Sequence, residues 1–177
     1  FIATLAMMVF ARGAAKYISG GQKIAQGVQT ESGFQFLPLP KFFDLLNAKI
    51  LMDNVAVVTL VFLGCLVVSW IVLERLRVGR HLYAIGGNET AARLSGVPVN
   101  RAKVFAYAMS GLFAAVAGIC QAAQETQGDP EAGVSYELTA IAIVVIGGTS
   151  LTGGRGGMIL TLLGTLTIGY LEKILSI

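Results

Sequence analysis

The feature that most limits the possible folds is an apolar run at residues 55–73, VAVVTLVFLGCLVVSWIVL, which contains no charged residue. An α-helix rises about 1.5 Å per residue, so this run reaches about 28 Å, close to the roughly 30 Å of a bilayer core. A second uncharged run covers residues 104–124, and shorter apolar runs cover 138–146 and 158–171. Only 13% of the residues are charged, against about 25% in soluble domains. The pattern predicts an all-α fold, a polytopic α-helical membrane protein with about four to five membrane segments.

The ends of the chain suggest that it is part of something longer. The first residue is Phe1 and not Met, the following residues are already apolar, and another apolar run ends shortly before Ile177. We therefore expect residues 1–177 to be part of a single transmembrane domain that is truncated at both ends. Residues 1–18 are interpreted as the remainder of a span. Within the mixed residues 19–52, the stretch FQFLPLPKFFDLL at 34–46 is interpreted as a segment that lies on the membrane surface, because it is rich in Phe and Leu and is broken by two prolines.

The charged residues between the apolar runs predict the orientation in the membrane. Residues 74–103 contain six Arg or Lys against Glu74 and Glu89, whereas residues 125–137 contain four acids and no base. Loops rich in Lys and Arg stay on the cytoplasmic side. We therefore predict that 74–103 is a cytoplasmic loop and that 125–137 lies outside.

Within the predicted cytoplasmic loop, GGNETAARLSGVPVNRAKV at residues 86–104 has the signals of one short helix. Asn88 is a favourable N-cap, Glu89 suits the positive end of the helix dipole, and Glu89 and Arg93 are four residues apart. Gly96 fits the position after the last turn, and Pro98 prevents continuation. These signals predict a helix at 89–95. So short a helix is unstable alone in water, so either its own helix bundle or a partner must hold it.

A glycine-rich stretch, GGTSLTGGRGG at residues 147–157, separates the last two apolar runs. It is either a break within the membrane, which requires surrounding protein or a water-filled cavity, or a turn at the cytoplasmic surface. It superficially resembles a phosphate-binding loop, but Gly154 occupies the position that the phosphate-binding Lys requires. Any ATP must therefore be bound by another chain.

Several kinds of function lack the residues they need. One histidine and two cysteines, Cys65 and Cys120, both inside apolar runs, do not form a catalytic or metal site, and we predict no enzyme activity, no cofactor and no metal. The spans also lack the ionisable groups of ion-coupled transporters. Hydroxyls and amides in the spans would suit a polyhydroxylated ligand, or would equally suit hydrogen bonds between helices; they are Ser110, Gln121, Gln124, Thr139, Thr149 and Ser150. Small residues that recur every fourth position predict two helix-packing faces, namely Ser110, Ala114, Gly118 and Ala122, and then Gly157, Thr161, Thr165 and Gly169.

Two long stretches resemble the permease subunits of ribose-type sugar ABC importers. GRHLYAIGGNETAARLSGVPVNRAKVFAYAMSGLFAAVAGI at residues 79–119 is similar to a cytoplasmic loop and the following span of that family. YELTAIAIVVIGGTSLTGGRGG at 136–157 and FIATLAMMVFARG at the start are similar to other segments in the same order. The resemblance covers nearly the whole chain and is weakest across 19–52.

The resemblance implies a bacterial inner-membrane, multi-pass permease that forms the translocation path for a monosaccharide. It implies as partners a separate ABC ATPase subunit, a second permease copy in a homo- or heterodimer, an external sugar-binding protein and the lipid bilayer, with no nucleic acid. The helix at 89–95 would be the coupling helix that docks on the ATPase, through Asn88, Glu89, Ala92, Arg93, Leu94, Ser95 and Gly96. Two alternatives remain: a branched-chain amino-acid or nucleoside ABC permease, and a non-transporting membrane scaffold that docks a cytoplasmic partner.

Overall fold

Helices dominate the part of the chain that the structure describes, which confirms the all-α prediction. The computed structural model describes residues 2–25, 27–30, 33–36, 41–50 and 55–175. Eight α-helices occur in these ranges: α1 Ile2–Ile18, α2 Lys41–Asn47, α3 Val57–Trp70, α4 Arg77–Gly87, α5 Glu89–Leu94, α6 Val99–Glu125, α7 Tyr136–Ile146 and α8 Met158–Leu175.

Three helical segments are long and apolar enough to cross a membrane. They are Val57–Arg75, which joins α3 to a π-helical turn at Ile71–Arg75, and the helices α6 and α8. The helix α6 begins five residues before its uncharged run, so the end of the predicted loop is helical. The helix α7 has 11 residues and rises about 16 Å, roughly half of a bilayer core. The apolar runs thus form helices in the predicted order.

Short antiparallel strand pairs occupy much of residues 19–52, the region that contains the segment predicted on the membrane surface. The strands β1 (Ile24–Ala25) and β6 (Gln127–Gly128) pair with Ile24 opposite Gly128. The strands β2 (Gly27–Thr30) and β3 (Gly33–Phe36) form a hairpin, and β4 (Lys49–Ile50) pairs with β5 (Val55–Ala56). The two prolines of this segment, Pro38 and Pro40, lie outside the described residues.

The chain forms two compact units, of which the first contains residues 1–61 and 115–134. The last turns of α6 supply two of its buried side chains, Cys120 and Ala123, and α2 supplies Leu46. Asn47 Nδ2 donates a hydrogen bond of 2.5 Å to the carbonyl oxygen of Ala123. Cys120, which lies inside an apolar run of the sequence, is therefore packed within this unit.

The second unit contains residues 62–114 and 135–177, and α7 packs on α8 within it. Glycines allow this contact, because a Cβ added to Gly164 would overlap the carbonyl oxygen of Ile143, and one added to Gly147 would lie 2.5 Å from the carbonyl oxygen of Leu160. Thr161, a member of the predicted packing face of α8, takes part in this contact, because its Cα lies 3.1 Å from the same added Cβ on Gly147. Gly157 and Gly169 have no neighbour within 4 Å of an added Cβ among the described residues.

The hydroxyls of the α8 threonines bond locally, and part of the predicted face on α6 is open. Thr161 donates to the carbonyl oxygen of Gly157, just before α8, and Thr165 donates to that of Thr161. On α6, Ser110 and Gly118 are exposed, and an added Cβ on Gly118 meets no described atom within 4 Å. The four-residue spacing identifies helix faces made of small residues. Within the described residues, however, Gly164, which is outside the predicted set, makes the contact with α7.

Candidate functional site

The short helix predicted in the loop is present as α5, Glu89–Leu94, one residue shorter at its end than predicted. Asn88 has an extended backbone (φ −158°), and its side-chain oxygen accepts a hydrogen bond of 3.0 Å from the amide of Ala91. At the other end Gly96 adopts φ +80°. The amide of Gly96 donates to the carbonyl of Arg93, and the amide of Val97 donates to the carbonyl of Ala92. This pair of bonds is the Schellman motif, so both ends of α5 are closed by local hydrogen bonds.

Glu89 connects α5 to the first turns of α6. Its carboxylate lies 3.3 Å from a guanidinium nitrogen of Arg93 and 2.7 Å from Lys103 Nζ. The hydrogen bond from Lys103, with the positive charges of Lys103 and Arg93, lowers the pKa of Glu89. The bond to Lys103 was not predicted, because it joins residues 14 positions apart across a turn.

The side chains of α5 divide into an inner and an outer group. Ala92 is 5% exposed and lies with Val99 and Ala102 in the interior of the unit. Leu94, in contrast, is 85% exposed. Beside it lies a shallow groove of about 330 Å³, lined by Arg93, Pro98, Val99, Asn100 and Arg101. The helix therefore presents one apolar side chain next to a basic groove, while Ala92 is unavailable to a partner.

The helix α4, which leads directly into α5, was missed in the sequence. Its residues Val78, Leu82 and Ile85 are partly covered, while Arg77 and Arg80 are exposed. The spacing of these apolar residues, four and then three apart, is the signal that could have identified an amphipathic helix. Before α4, the π-helical turn places the guanidinium of Arg75 5.2 Å from the ring centre of Trp70, within cation–π distance.

The glycine-rich stretch 147–157 packs against α4. Tyr83 Oη donates a hydrogen bond of 3.2 Å to the carbonyl oxygen of Gly156. Gly86 lies directly against Gly153 and Gly154, because a Cβ added to Gly86 would lie 2.5 Å from the amide nitrogen of Gly154. One side of the stretch is thus covered by α4, beside the residues that lead into α5, while Leu151 is exposed.

A cavity of about 260 Å³ lies between α4 and the glycine-rich stretch. Two of the candidate polar residues line it, Thr149 and Ser150, together with Tyr83, Arg155 and Thr161. Ser150 shares a hydrogen bond of 2.7 Å with the hydroxyl of Thr152, whereas the buried hydroxyl of Thr149 has no partner among the described residues. Thr149 and Ser150 are therefore the candidate path residues that line this cavity.

The other candidate polar groups lie elsewhere. Ser110 is exposed on α6, and Thr139 is partly covered on α7. Gln121 donates a hydrogen bond of 2.9 Å to the carboxylate of Glu125, and Gln124 is exposed near the end of α6. Gln121 and Gln124 belong to the first unit and the others to the second.

The acidic segment after α6 is paired with lysines of the same unit. Lys16, near the end of α1, lies 2.8 Å from a carboxylate oxygen of Glu131, and Lys23 lies 2.8 Å from Asp129. The hydrogen bonds from these lysines lower the pKa values of Glu131 and Asp129, and the bond to Asp129 raises the pKa of Lys23. The two carboxylates therefore stay ionised, and Lys16 and Lys23 offset part of the negative charge of the segment.

Known transport-system permeases are similar to this chain over nearly its whole length. The profile of the family described as "Branched-chain amino acid transport system / permease component" matches residues 1–177. The chain is 41% identical over 177 residues to the ribose import permease protein of Escherichia coli, and 42% identical over 177 residues to that of Bacillus subtilis. It is 39% identical over 176 residues to the L-arabinose transport system permease protein of Escherichia coli.

The matches cover nearly all of this chain, 100%, 100% and 99% respectively, and 52%, 52% and 50% of the three relatives. The chain thus spans about half the length of the curated relatives that it matches. No solved structure matches it. The relatives confirm the resemblance to ribose-type permeases, and with the three long apolar helices they establish a membrane protein. The chain belongs to the family of transport-system permease components.

Proposed function

We propose that the chain is part of the membrane-spanning permease subunit of an ATP-driven importer, that it forms part of the translocation path for a monosaccharide, and that α5 couples this path to a separate ATPase. Membership of a permease family and similarity to ribose and arabinose permeases support the first two points. The observation that carries the third is α5 itself. A helix of six residues, closed at both ends and held to α4 and α6, presents Leu94 outward.

The chemistry of this surface indicates what the ATPase would offer. An 85% exposed leucine at the tip of a rigid helix suits an apolar pocket, and a small number of such anchoring side chains dominates binding at interfaces. Arg93 and Arg101 line the adjoining groove, so acidic side chains around the pocket would complement it. The docking surface is assigned to Asn88, Arg93, Leu94, Ser95 and Gly96, with Glu89 as its anchor on α6. Ala92 is left out because it is buried.

The same reasoning assigns the remaining partners to the two sides of a bacterial inner membrane. With 74–103 in the cytoplasm, the ATPase docks there, and it alone hydrolyses ATP. The segment 125–137 faces outward and is assigned to the sugar-binding protein. Glu131 and Asp129 are already paired within the chain, so docking there would exchange or extend existing ion pairs. A second permease copy completes the path.

The candidate residues for the path are Ser110, Gln121, Gln124, Thr139, Thr149 and Ser150. Hydroxyl and amide groups suit the hydroxyls of a sugar, and the named substrates of two relatives are pentoses. The family description names branched-chain amino acids, so an amino-acid permease is the second candidate. Calorimetry of the cognate binding protein with D-ribose, L-arabinose, D-fructose and L-leucine separates the two. Binding of leucine alone would refute the sugar assignment.

The docking role of α5 is tested by truncating its exposed side chain. We expect Leu94→Ala to weaken co-purification of the ATPase about tenfold, the effect of losing one anchoring side chain, and to reduce uptake in parallel. Leu112→Ala is the matched control, because Leu112 is also exposed but lies within α6 outside the loop. Both variants should keep the wild-type elution profile in detergent. Normal ATPase binding by Leu94→Ala would show that α5 is not the docking element.

A further inference from the structure

The helix α4 is fixed by close backbone contacts at both of its ends. Near its start, a Cβ added to Gly79 would overlap the carbonyl oxygen of Leu73, so α4 rests directly on the end of the first long apolar segment. Near its end lies Gly86, which contacts the glycine-rich stretch. The amide of Asn88 then donates to the carbonyl oxygen of Ala84, so the first residue before α5 is bonded into α4.

The contact at Gly86 contains no side chain. A Cβ added to Gly153 would lie 2.7 Å from the carbonyl oxygen of Gly86, and one added to Gly154 would lie 2.8 Å from Cα of Gly87. We call Gly86, Gly153 and Gly154 the glycine joint. Contacts between side chains can absorb a small shift by changing rotamers, whereas a backbone contact cannot. The bond from Tyr83 Oη to Gly156 ties the same two segments a second time.

The far side of the glycine joint connects to α7 and α8. The stretch 147–157 joins these two helices directly, and they are held together where Gly164 meets Ile143 and Gly147. A displacement of the stretch therefore acts on the adjacent ends of both helices together.

We propose that the glycine joint transmits movement of α5 to the α7–α8 pair, with Gly86 as the positioning residue on α4. This inference rests on the proposed function, because it requires α5 to dock on an ATPase. In this proposal, the stretch 147–157 passes movement from α4, next to α5, to α7 and α8. The stretch then links the site of ATP-driven movement to two of the membrane helices and is more than a connecting turn.

Adjacent glycines of α4 provide the test. Gly86→Ala introduces a methyl group into the joint, whereas an added Cβ on Gly87 meets nothing within 4 Å, so Gly87→Ala is the matched control. Each variant of the full-length permease is reconstituted with its ATPase in liposomes. Three quantities are measured: co-purification of the ATPase, basal ATP hydrolysis, and stimulation by binding protein loaded with whichever of D-ribose, L-arabinose and D-fructose it binds best.

We expect Gly86→Ala to retain the ATPase and basal hydrolysis while its stimulation and its uptake fall at least about fivefold, the lower range of coupling between sites. Gly87→Ala should match the wild type. If Gly86→Ala keeps full stimulation of ATP hydrolysis while Leu94→Ala loses the ATPase, the proposed role of the glycine joint is overturned. The docking proposal is then left intact. Normal ATPase binding by Leu94→Ala would instead overturn the docking proposal.

A second variant decides the matter if Gly86→Ala does not fold. Tyr83→Phe removes only the hydroxyl that bonds to Gly156 and adds no bulk to the contact. Reduced stimulation with the ATPase still bound would support transmission through this contact. Unchanged stimulation and uptake in a folded Tyr83→Phe complex would overturn it.

Discussion

Lys103 Nζ donates a hydrogen bond of 2.7 Å to the Glu89 carboxylate, so the first residue of α5 is bonded to the second turn of α6. Arg93 approaches the other carboxylate oxygen from within α5 at 3.3 Å. The direction in which α5 projects is therefore set by a long apolar helix as well as by α4. A carboxylate at this position also suits the positive end of the α5 dipole.

Reversing the charge at Glu89 should abolish coupling. Glu89→Arg places three cations together and puts a positive charge at the start of α5, so we expect uptake to fall more than about tenfold, within the range of a lost coupling interaction. Glu89→Gln is the control because its amide oxygen still accepts a hydrogen bond, and it should retain more uptake. Transport of radiolabelled sugar into cells measures both. Equal uptake by the two variants would refute the role of this charge.

The pH dependence of this contact follows from the lowered pKa of Glu89. A lowered folded-state pKa stabilises the folded arrangement above the unfolded value of 4.5, and the contribution is lost as the pH falls through the folded value. The ratio of uptake between wild type and Glu89→Gln should therefore stay constant from about pH 5 to pH 8. A ratio that changes within this range, measured in liposomes with the cytoplasmic face exposed to buffer, would contradict the assignment.

The predicted orientation can be tested with single cysteines. In an otherwise Cys-free full-length protein, in which Cys65 and Cys120 are among the replaced cysteines, Asn100→Cys and Gly128→Cys place thiols at exposed positions. An added Cβ at Gly128 makes only an ordinary contact, 3.7 Å from Cβ of Ile24, so the second substitution should be accepted. An impermeant maleimide added to intact spheroplasts should label Gly128→Cys alone. Labelling of Asn100→Cys would show that the predicted orientation is wrong.

The contact between α7 and α8 should be far more sensitive at Gly164 than at Gly169. A methyl group at Gly164 meets the backbone of Ile143 and Gly147, and overpacking of this kind costs about 1–3 kcal/mol. We expect Gly164→Ala to lower the melting temperature in detergent by several degrees. Gly169→Ala, where the space is open among the described residues, should leave it unchanged or raise it slightly, because alanine is the better helix former. Equal melting temperatures would show that α7 and α8 are loosely packed.

Local signals in the sequence were sufficient to predict the order of the apolar helices and the two ends of α5. Apolar runs long enough to span a bilayer became α3 and α6, and the Asn88 and Gly96 signals act within a few residues of the helix that they bound. Such features depend on chain geometry and local hydrogen bonds, which a sequence carries directly. Local signals could not predict that the chain is a permease; the family resemblance did.

Contacts between residues far apart in the sequence could not be predicted from such local signals. The spacing of Gly157 and Gly169 indicated a packing face, yet Gly164 makes the contact with α7, because the rotation of one helix against another is decided by both surfaces. The glycine joint brings together residues nearly 70 positions apart, and nothing local to Gly86 distinguishes it from Gly87. The acids of 125–137 were identified as a charged loop, but their lysine partners come from a different part of the chain.

The pairing of the acidic segment 125–137 should be visible as a stability difference that disappears in acid. Asp129 accepts both Lys23 Nζ and the amide of Glu131, each at 2.8 Å. Asp129→Asn keeps an oxygen for the amide but loses the charge, so its melting temperature should be lower than that of the wild type at pH 7. Asp129→Ala loses both interactions and should be lower still. Differential scanning of the detergent-solubilised protein compares the three.

The sign of the pH effect follows from the pKa of each partner. The pKa of Asp129 is lowered from 3.8, so its contribution is complete above that value and is lost as the pH falls through the folded value. The pKa of Lys23 is raised from 10.5, so its contribution is complete below that value and is lost at still higher pH. The difference between wild type and Asp129→Asn should be constant from about pH 5 to pH 9 and should shrink below about pH 4. A difference that persists after the carboxylate is protonated would mean that the Asn side chain disturbs the turn and that the ion pair contributes nothing.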